Sequence, residues 1–227
     1  MKKIILLLLF TYIEMHSQEL KEFSVPKSYK RIAETKGDLD KDGIDEIVYV
    51  YNTNKHVKDL GLKRELYICK KINGTIKLWK KNTTVIWESK NSGFYNDEEN
   101  NSTDGDNSIL EIHNNTLIIQ QIFYSNSRHS FANKNIFRFQ NNDWYLIGAT
   151  SNDSDTCGWD FEYDINFSTK KVHIIKEYSK CMDEDPEPPK NKEYSFKYPF
   201  KEILKMDDFV PSKKYIEMKD SNMNFFY

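Results

Sequence analysis

The sequence predicts an all-β protein made of antiparallel meander sheets, with at most two short helices. Three observations carry this. Runs rich in Val, Ile, Thr, Tyr, Phe and Trp recur along the chain, and aromatic residues make up 14% of it. Turn formers separate the runs at short intervals, notably Asn73-Gly74, Asn114-Asn115 and Asn141-Asn142-Asp143. Trp159, Phe161, Tyr163, Ile165 and Phe167 alternate with Asp160, Glu162, Asp164 and Asn166, the period-2 pattern of a half-buried strand. The count comes to about ten to twelve strands.

Taken in order, the chain opens on Met1-Lys2-Lys3 and an apolar run over residues 4–10, then turns polar by residues 14–18. About ten apolar residues are too few for a span of about twenty, so residues 1–17 read as a secretory signal peptide cut near Ser17-Gln18. The expected location is therefore exported, periplasmic or secreted, with no membrane span after cleavage. Losing Lys2, Lys3 and Glu14 moves the formal charge from −2 to −3. So balanced a chain, without a basic stripe, excludes nucleic acid as the expected partner. No Pro/Ser/Gly-rich linker divides the remainder, which predicts one β domain over residues 18–212 and a C-terminal tail over 213–227, from which Phe225-Phe226-Tyr227 can dock.

Residues 37–46, Gly-Asp-Leu-Asp-Lys-Asp-Gly-Ile-Asp-Glu, place five carboxylates within nine residues. Asp38, Asp40 and Asp42 stand at positions 1, 3 and 5 of a calcium loop, Gly43 at the sharp turn of position 6, Ile44 with its carbonyl at position 7, and Glu46 at position 9. A hard cation such as Ca²⁺ takes about six to eight oxygens, and these residues supply five. A helical EF-hand needs Glu at position 12, where this chain has Tyr49 inside the strand-like run Ile47-Val48-Tyr49-Val50-Tyr51. The loop feeds a strand. In this it resembles the calcium loops of FG-GAP and VCBS-type repeats, found in integrin propellers and many secreted bacterial proteins. The resemblance covers residues 37 to about 50 and implies bound Ca²⁺, with Asp38, Asp40, Asp42, the Ile44 carbonyl and Glu46 as ligands and Asp45 flanking. Family members usually carry Asp where Glu46 stands, and one copy of the loop is present where propellers repeat it. The order of signal, loop, meander and C-terminal Asp-Asp-Phe-Val-Pro also resembles small uncharacterised secreted bacterial proteins. Three groups of strands are too few to close an ordinary propeller, which leaves a two-sheet sandwich or an incomplete propeller-like stack.

The rest of the chain follows the same logic. Residues 25–32 read as an extended lead-in, residues 47–52 as a strand, and residues 56–62 as the one early segment with helical character. Residues 65–71 and 75–81 form a hairpin across Asn73-Gly74, and Val85-Ile86-Trp87 extends that sheet. Residues 91–107 are polar and acidic and read as a long exposed loop. Residues 109–113, 116–124, 135–140 and 144–149 predict a four-stranded meander, in which 116–124 is apolar on both faces and reads as a central, covered strand. Residues 125–133 then form a connection in which Arg128 and His129 stand beside Tyr124 and Phe131. The strand from Trp159 returns into residues 172–178, residues 194–200 close the sheet, and residues 201–208 form one short helix.

Three cysteines stand in a chain expected to be exported, to a setting where disulfides persist. Cys157 and Cys181 are equidistant from Thr169, so a symmetric three-residue loop places them opposite each other. Matching Val172 and Ile174 to the apolar face of the preceding strand shifts the register by one and separates them. The Cys157–Cys181 disulfide is left open between these, with Cys69 a buried thiol in its strand. No Cys or His pair has zinc spacing.

The chain holds no Gly-x-Ser-x-Gly, no His-Glu-x-x-His and no phosphate-cradling glycine loop. The expected function is a non-catalytic exported β domain, stabilised by one Ca²⁺, that binds an envelope or extracellular protein or glycan. The alternatives are a secreted polymer-degrading hydrolase and an inhibitor or immunity-type protein against a secreted enzyme.

Overall fold

A computed structural model describes residues 20–90, 109–124, 127–217 and 224–227. The expected signal peptide and the polar loop at 91–107 lie outside these residues. Strands β1 (Lys30–Gly37), β2 (Glu46–Val57), β3 (Gly61–Ile72) and β4 (Thr75–Asn82) form one antiparallel sheet in chain order. A seven-stranded sheet follows, also antiparallel and in chain order: β5 (Ile109–His113), β6 (Thr116–Tyr124), β7 (His129–Gln140), β8 (Asp143–Asp155), β9 (Trp159–Asn166), β10 (Lys171–Tyr178) and β11 (Lys192–Lys197). After one 3₁₀ turn, Met206–Asp208, strands β12 (Tyr215–Glu217) and β13 (Asn224–Phe226) make a small ribbon. The fold is all-β, every sheet is a meander, and neither large sheet closes into a barrel.

Alternation explains how the sheets meet. Val48, Val50, Leu66 and Ile68 of β2 and β3 pack in one apolar core with Leu117, Ile119, Phe137, Leu146, Ile165, Val172 and Ile174 of the large sheet. That shared core is the arrangement of a two-sheet sandwich. Trp79 on β4 seals one side of it against Phe139 and Trp144, with ring centroids 4.5 and 5.1 Å away. The opposite face of β2 and β3 carries Tyr49, Tyr51, Tyr67 and Cys69, covered by Phe23, Val25 and Tyr29 of the lead-in. The lead-in is held along β4 by Phe23 N–H to the Ile76 carbonyl at 2.9 Å and Leu78 N–H to the Lys21 carbonyl at 2.7 Å. Burial pushes the Cys69 thiol up to about 12, which leaves it an inert core residue. Where the two sheets come together, the end of β1 approaches β5 so closely that a Cβ on Gly37 would lie 2.7 Å from Ile112 Cγ2.

Several expectations are corrected. Residues 56–62 are a hairpin turn: His56 and Val57 still belong to β2, and Asp59 (φ 64°) and Gly61 (φ 88°) take left-handed conformations that no helix admits. Most of the connection read at 125–133 is strand, because β7 begins at His129 and pairs with β8 as far as Asp155. Residues 85–87 are not a strand; the Gln121 side chain ties them down instead, accepting from Trp87 N–H at 2.7 Å and donating to the Val85 carbonyl at 3.0 Å. Strand β6 lies second from the edge of its sheet, and of Ile118, Gln120 and Ile122 on its outer face only Ile122 is buried. Within the stretch read as a tail at 213–227, residues 215–217 and 224–226 pair as β12 and β13, and the C-terminal aromatics dock in the core as that reading allowed. Phe225, 2% exposed, stacks on Tyr163 at 4.8 Å, and Tyr227 packs on Phe167 at 5.2 Å. A seven-stranded inner face needs that extra cover.

Phe225→Ala should therefore lower the unfolding free energy by about 3–5 kcal/mol in urea denaturation, as for other buried aromatic truncations. A free tail would show no change.

Candidate functional site

The loop joining β1 to β2 is shaped by its own hydrogen bonds. Leu39 is buried in the core, and the residues on either side of it, Asp38 and Asp40, turn outward. Lys41 (φ 69°) and Gly43 (φ 81°) supply two left-handed turns. Asp38 accepts from Lys41 N–H at 2.6 Å and Gly43 N–H at 3.1 Å, and Asp42 accepts from Ile44 N–H at 2.8 Å. Glu46, 1% exposed, accepts from Leu39 N–H at 2.7 Å. Asn115, in the β5–β6 turn, donates to the Asp38 carbonyl at 2.8 Å and so ties the loop to the other sheet.

Of the five expected ligands, the structure brings three together: one carboxylate oxygen each of Asp38, Asp40 and Asp42 lie within 4.8 Å of one another. Ile44, expected to contribute its carbonyl, is 55% exposed as a residue, and Asp45 is exposed. Glu46 stands behind the cluster. Lys70 on β3, a residue the sequence reading missed, fills the space between: its ammonium contacts Asp40 and lies 3.7 Å from Asp42 and 3.5 Å from Glu46. The same ammonium sits 4.3 Å from the centroid of the Trp79 ring. Burial pushes the Glu46 carboxyl up, against the lowering effects of Leu39 N–H and the Lys70 charge. Burial also works to discharge Lys70, but the hydrogen bond to Asp40 and the fields of Glu46, Asp40 and Asp42 outweigh it, and the net shift is upward. Asp40 Oδ1 is buried without a hydrogen-bond partner among the described residues. Hard oxygen donors and an unpartnered carboxylate oxygen fit a hard cation; Lys70 offsets one of the loop's negative charges from within the chain.

A second polar group lies at the far end of the large sheet. Asp155, with its side chain 2% exposed, accepts from Arg128 Nη2 at 2.8 Å and Cys157 N–H at 2.7 Å and pairs with His129. Arg128 holds the Asp155 carboxyl below the usual carboxylate range, with Cys157 N–H and His129 acting in the same direction against burial. His129 stacks on Trp159 at 5.4 Å. The sequence reading singled out Arg128 and His129, but placed them beside Tyr124 and Phe131 rather than against Asp155, which comes from the neighbouring strand.

Beside this group, Cys157 and Cys181 are joined by a disulfide, Cα atoms 4.4 Å apart. The strand register is the shifted one, Val172 opposite Ile165 and Tyr178 opposite Trp159. The bridge forms nonetheless because both cysteines lie beyond the paired residues. Cys157 is in the β8–β9 turn, Cys181 follows β10, and Ser179 N–H to the Gly158 carbonyl at 3.0 Å draws the two irregular segments together.

Compared with protein-family models, curated proteins and solved structures, the chain matches none.

Two outcomes follow from this end of the sheet. Replacing both Cys157 and Cys181 by Ser should cost about 3–4 kcal/mol of stability, the loop-closure entropy of a loop with a 24-residue separation, read by denaturation against the oxidised protein. Asp155 has a folded-state pKa below its unfolded one, so its contribution is complete above the ordinary Asp value of about 3.9 and is lost as pH falls through the lower folded pKa. Melting curves of Asp155→Asn should show a flatter decline below about pH 4 than the parent; an identical acid limb would show that the Arg128 and His129 contacts are not formed in solution.

Proposed function

We propose that the chain is a non-catalytic exported β-sandwich module that holds one Ca²⁺ at residues 38–46 and binds an envelope or extracellular protein or glycan. The convergence of Asp38, Asp40 and Asp42 in a loop already shaped by backbone hydrogen bonds carries the calcium reading. Asp38, Asp40, Asp42, Ile44 and Glu46 are the proposed ligands, as in the FG-GAP and VCBS-type loops that this segment resembles. Four carboxylates stand there against one ammonium. The ion would supply two further positive charges where Lys70 supplies one. Export rests on the N-terminal pattern of basic, apolar and polar residues, and a disulfide suits an oxidising compartment. The binding role is supported by the disulfide end of the large sheet, where aromatic and polar side chains on strand ends surround a pocket of about 430 Å³.

The test is the melting temperature of the purified protein in excess EDTA and then in millimolar Ca²⁺, with Mg²⁺ as control. Ligand at a hundred times its dissociation constant adds about 2.7 kcal/mol. For a domain of this size that is a rise of roughly 5–10 °C. The rise should be specific to Ca²⁺ and absent in Asp40→Ala; no rise in the parent protein would remove the ion from the proposal.

A further inference from the structure

We propose that Lys70 competes with the proposed Ca²⁺ for the same carboxylate oxygens of the β1–β2 loop, and so lowers the loop's affinity for the ion and selects its charge. The proposal rests on the calcium reading and names the residue that regulates that site.

Backbone N–H groups occupy part of the loop's oxygen first. Asp38 Oδ1 accepts from Lys41 N–H and Oδ2 from Gly43 N–H, Asp42 Oδ1 accepts from Ile44 N–H, and Glu46 Oε2 accepts from Leu39 N–H. The side-chain oxygens that these bonds leave are both of Asp40, Asp42 Oδ2 and Glu46 Oε1. All but one of them face a single ammonium. Lys70 Nζ contacts Asp40 Oδ2 and lies 3.7 Å from Asp42 Oδ2 and 3.5 Å from Glu46 Oε1. The exception, Asp40 Oδ1, is buried without a hydrogen-bond partner among the described residues. Calcium takes carboxylate oxygens at about 2.3–2.6 Å. It cannot gather these while a like charge stands among them.

Its placement makes Lys70 more than a surface counter-ion. The side chain is only 18% exposed and reaches the loop from β3. Glu46, at 1% exposure, is out of reach of water, and a buried carboxylate without a counter-charge is strongly destabilising. Lys70 thus supports the β1–β2 connection when calcium is scarce. The Trp79 ring, its centroid 4.3 Å from the ammonium, offers the charge a contact that uses none of the carboxylates. A monovalent ion brings no more charge than the ammonium already there, so the exchange favours a divalent one.

The experiment is calorimetric titration of Ca²⁺ into the purified chain and into Lys70→Met, which keeps an apolar stem beside Trp79 and removes the charge. Lys180→Gln, at the remote Lys180–Glu187 surface pair, is the control for net charge. Lys70→Met should bind Ca²⁺ about tenfold or more tightly than the parent, and Lys180→Gln should stay within about twofold of it. In EDTA, Lys70→Met should melt below the parent, and Ca²⁺ should raise its melting temperature by more. A merely structural ion pair would lower both melting temperatures alike. A second measurement uses the parent alone and so survives the loss of Lys70→Met to unfolding. Reductive methylation by formaldehyde and cyanoborohydride, read by peptide mass spectrometry, should modify Lys70 several-fold faster in Ca²⁺ than in EDTA. Equal or weaker binding by Lys70→Met, or methylation of Lys70 no faster in Ca²⁺, would overturn the competition and leave the calcium site standing. No response to Ca²⁺ in either protein would remove the calcium reading and this inference with it. Binding by Lys70→Met alone would bear out the competition and remove the ion from the parent.

Discussion

A seven-stranded sheet with an apolar inner face cannot be covered by four strands, and much of the structure answers that mismatch. The small sheet covers one region of the face through Val48, Val50, Leu66 and Ile68. The remainder falls to the C-terminal residues, where Phe209, Ile216, Phe225 and Tyr227 are all buried in the same core. Each buried side chain of this size contributes about 1.5–3 kcal/mol relative to exposure, so these short and irregular segments are held by burial rather than by their own hydrogen bonds. Strands β12 and β13 pair over only three residues each, too few to persist without that anchor.

Along the inner face away from the small sheet, polar side chains enter the register-matched rows, with one largely aromatic row, Phe123, Phe131, Asp153 and Phe161, before the last. Ile119, Asn135, Ala149 and Ile165 face one another across β6 to β9; the next row is Gln121, Asn133, Ser151 and Tyr163. The polar members fasten chain that has no strand partner. Gln121 holds residues 85–87, and Asn133 donates to the Ser212 hydroxyl at 3.4 Å. The last row, His129, Asp155, Trp159 and Tyr178, lies where the strands end and the disulfide closes the turn. Strand lengths of 12 and 13 residues for β7 and β8 carry the sheet out to that row, where Asp155 is buried and His129, Trp159 and Tyr178 are half-buried.

What the sequence made legible were features set by local rules. The hairpins at Asn73-Gly74, Asn114-Asn115 and Asn141-Asn142 appear where left-handed turn formers stand, with positive φ at each of them. The half-buried strand from Trp159 appears because its alternation is unbroken, with Phe161, Tyr163 and Ile165 buried. What was not legible depends on distant partners. Residues 129–133 look like a connection because His129 and Asn133, an imidazole and an amide, flank Phe131 at inward positions where a strand pattern expects apolar residues; only pairing with β6 and β8 places them in a sheet. That Phe225-Phe226-Tyr227 could dock was legible from its aromatic residues, but not where, which depends on the uncovered part of the large sheet. At the β1–β2 loop, the spacing of Asp38, Asp40 and Asp42 pointed to their convergence, whereas Lys70, thirty residues on from Asp40, is brought there only by strand pairing.

Lys70 also bears on what an ion could do in this loop. The backbone of residues 38–46 is organised by hydrogen bonds from Leu39, Lys41, Gly43 and Ile44 to its own carboxylates, so the turn has its shape before any cation arrives. What those bonds leave behind is charge. Four carboxylates and one ammonium leave an excess of three negative charges in a loop whose carbonyl at Asp38 is bonded by Asn115 of the opposite sheet. At separations of about 4 Å and an effective dielectric near 20, each like-charge contact is unfavourable by about 4 kcal/mol before screening. A divalent cation would relieve that repulsion without refolding the loop. Its effect would therefore be concentrated in the stability of the β1–β2 connection and its Asn115 contact, not in a change of shape communicated to the far end of the large sheet.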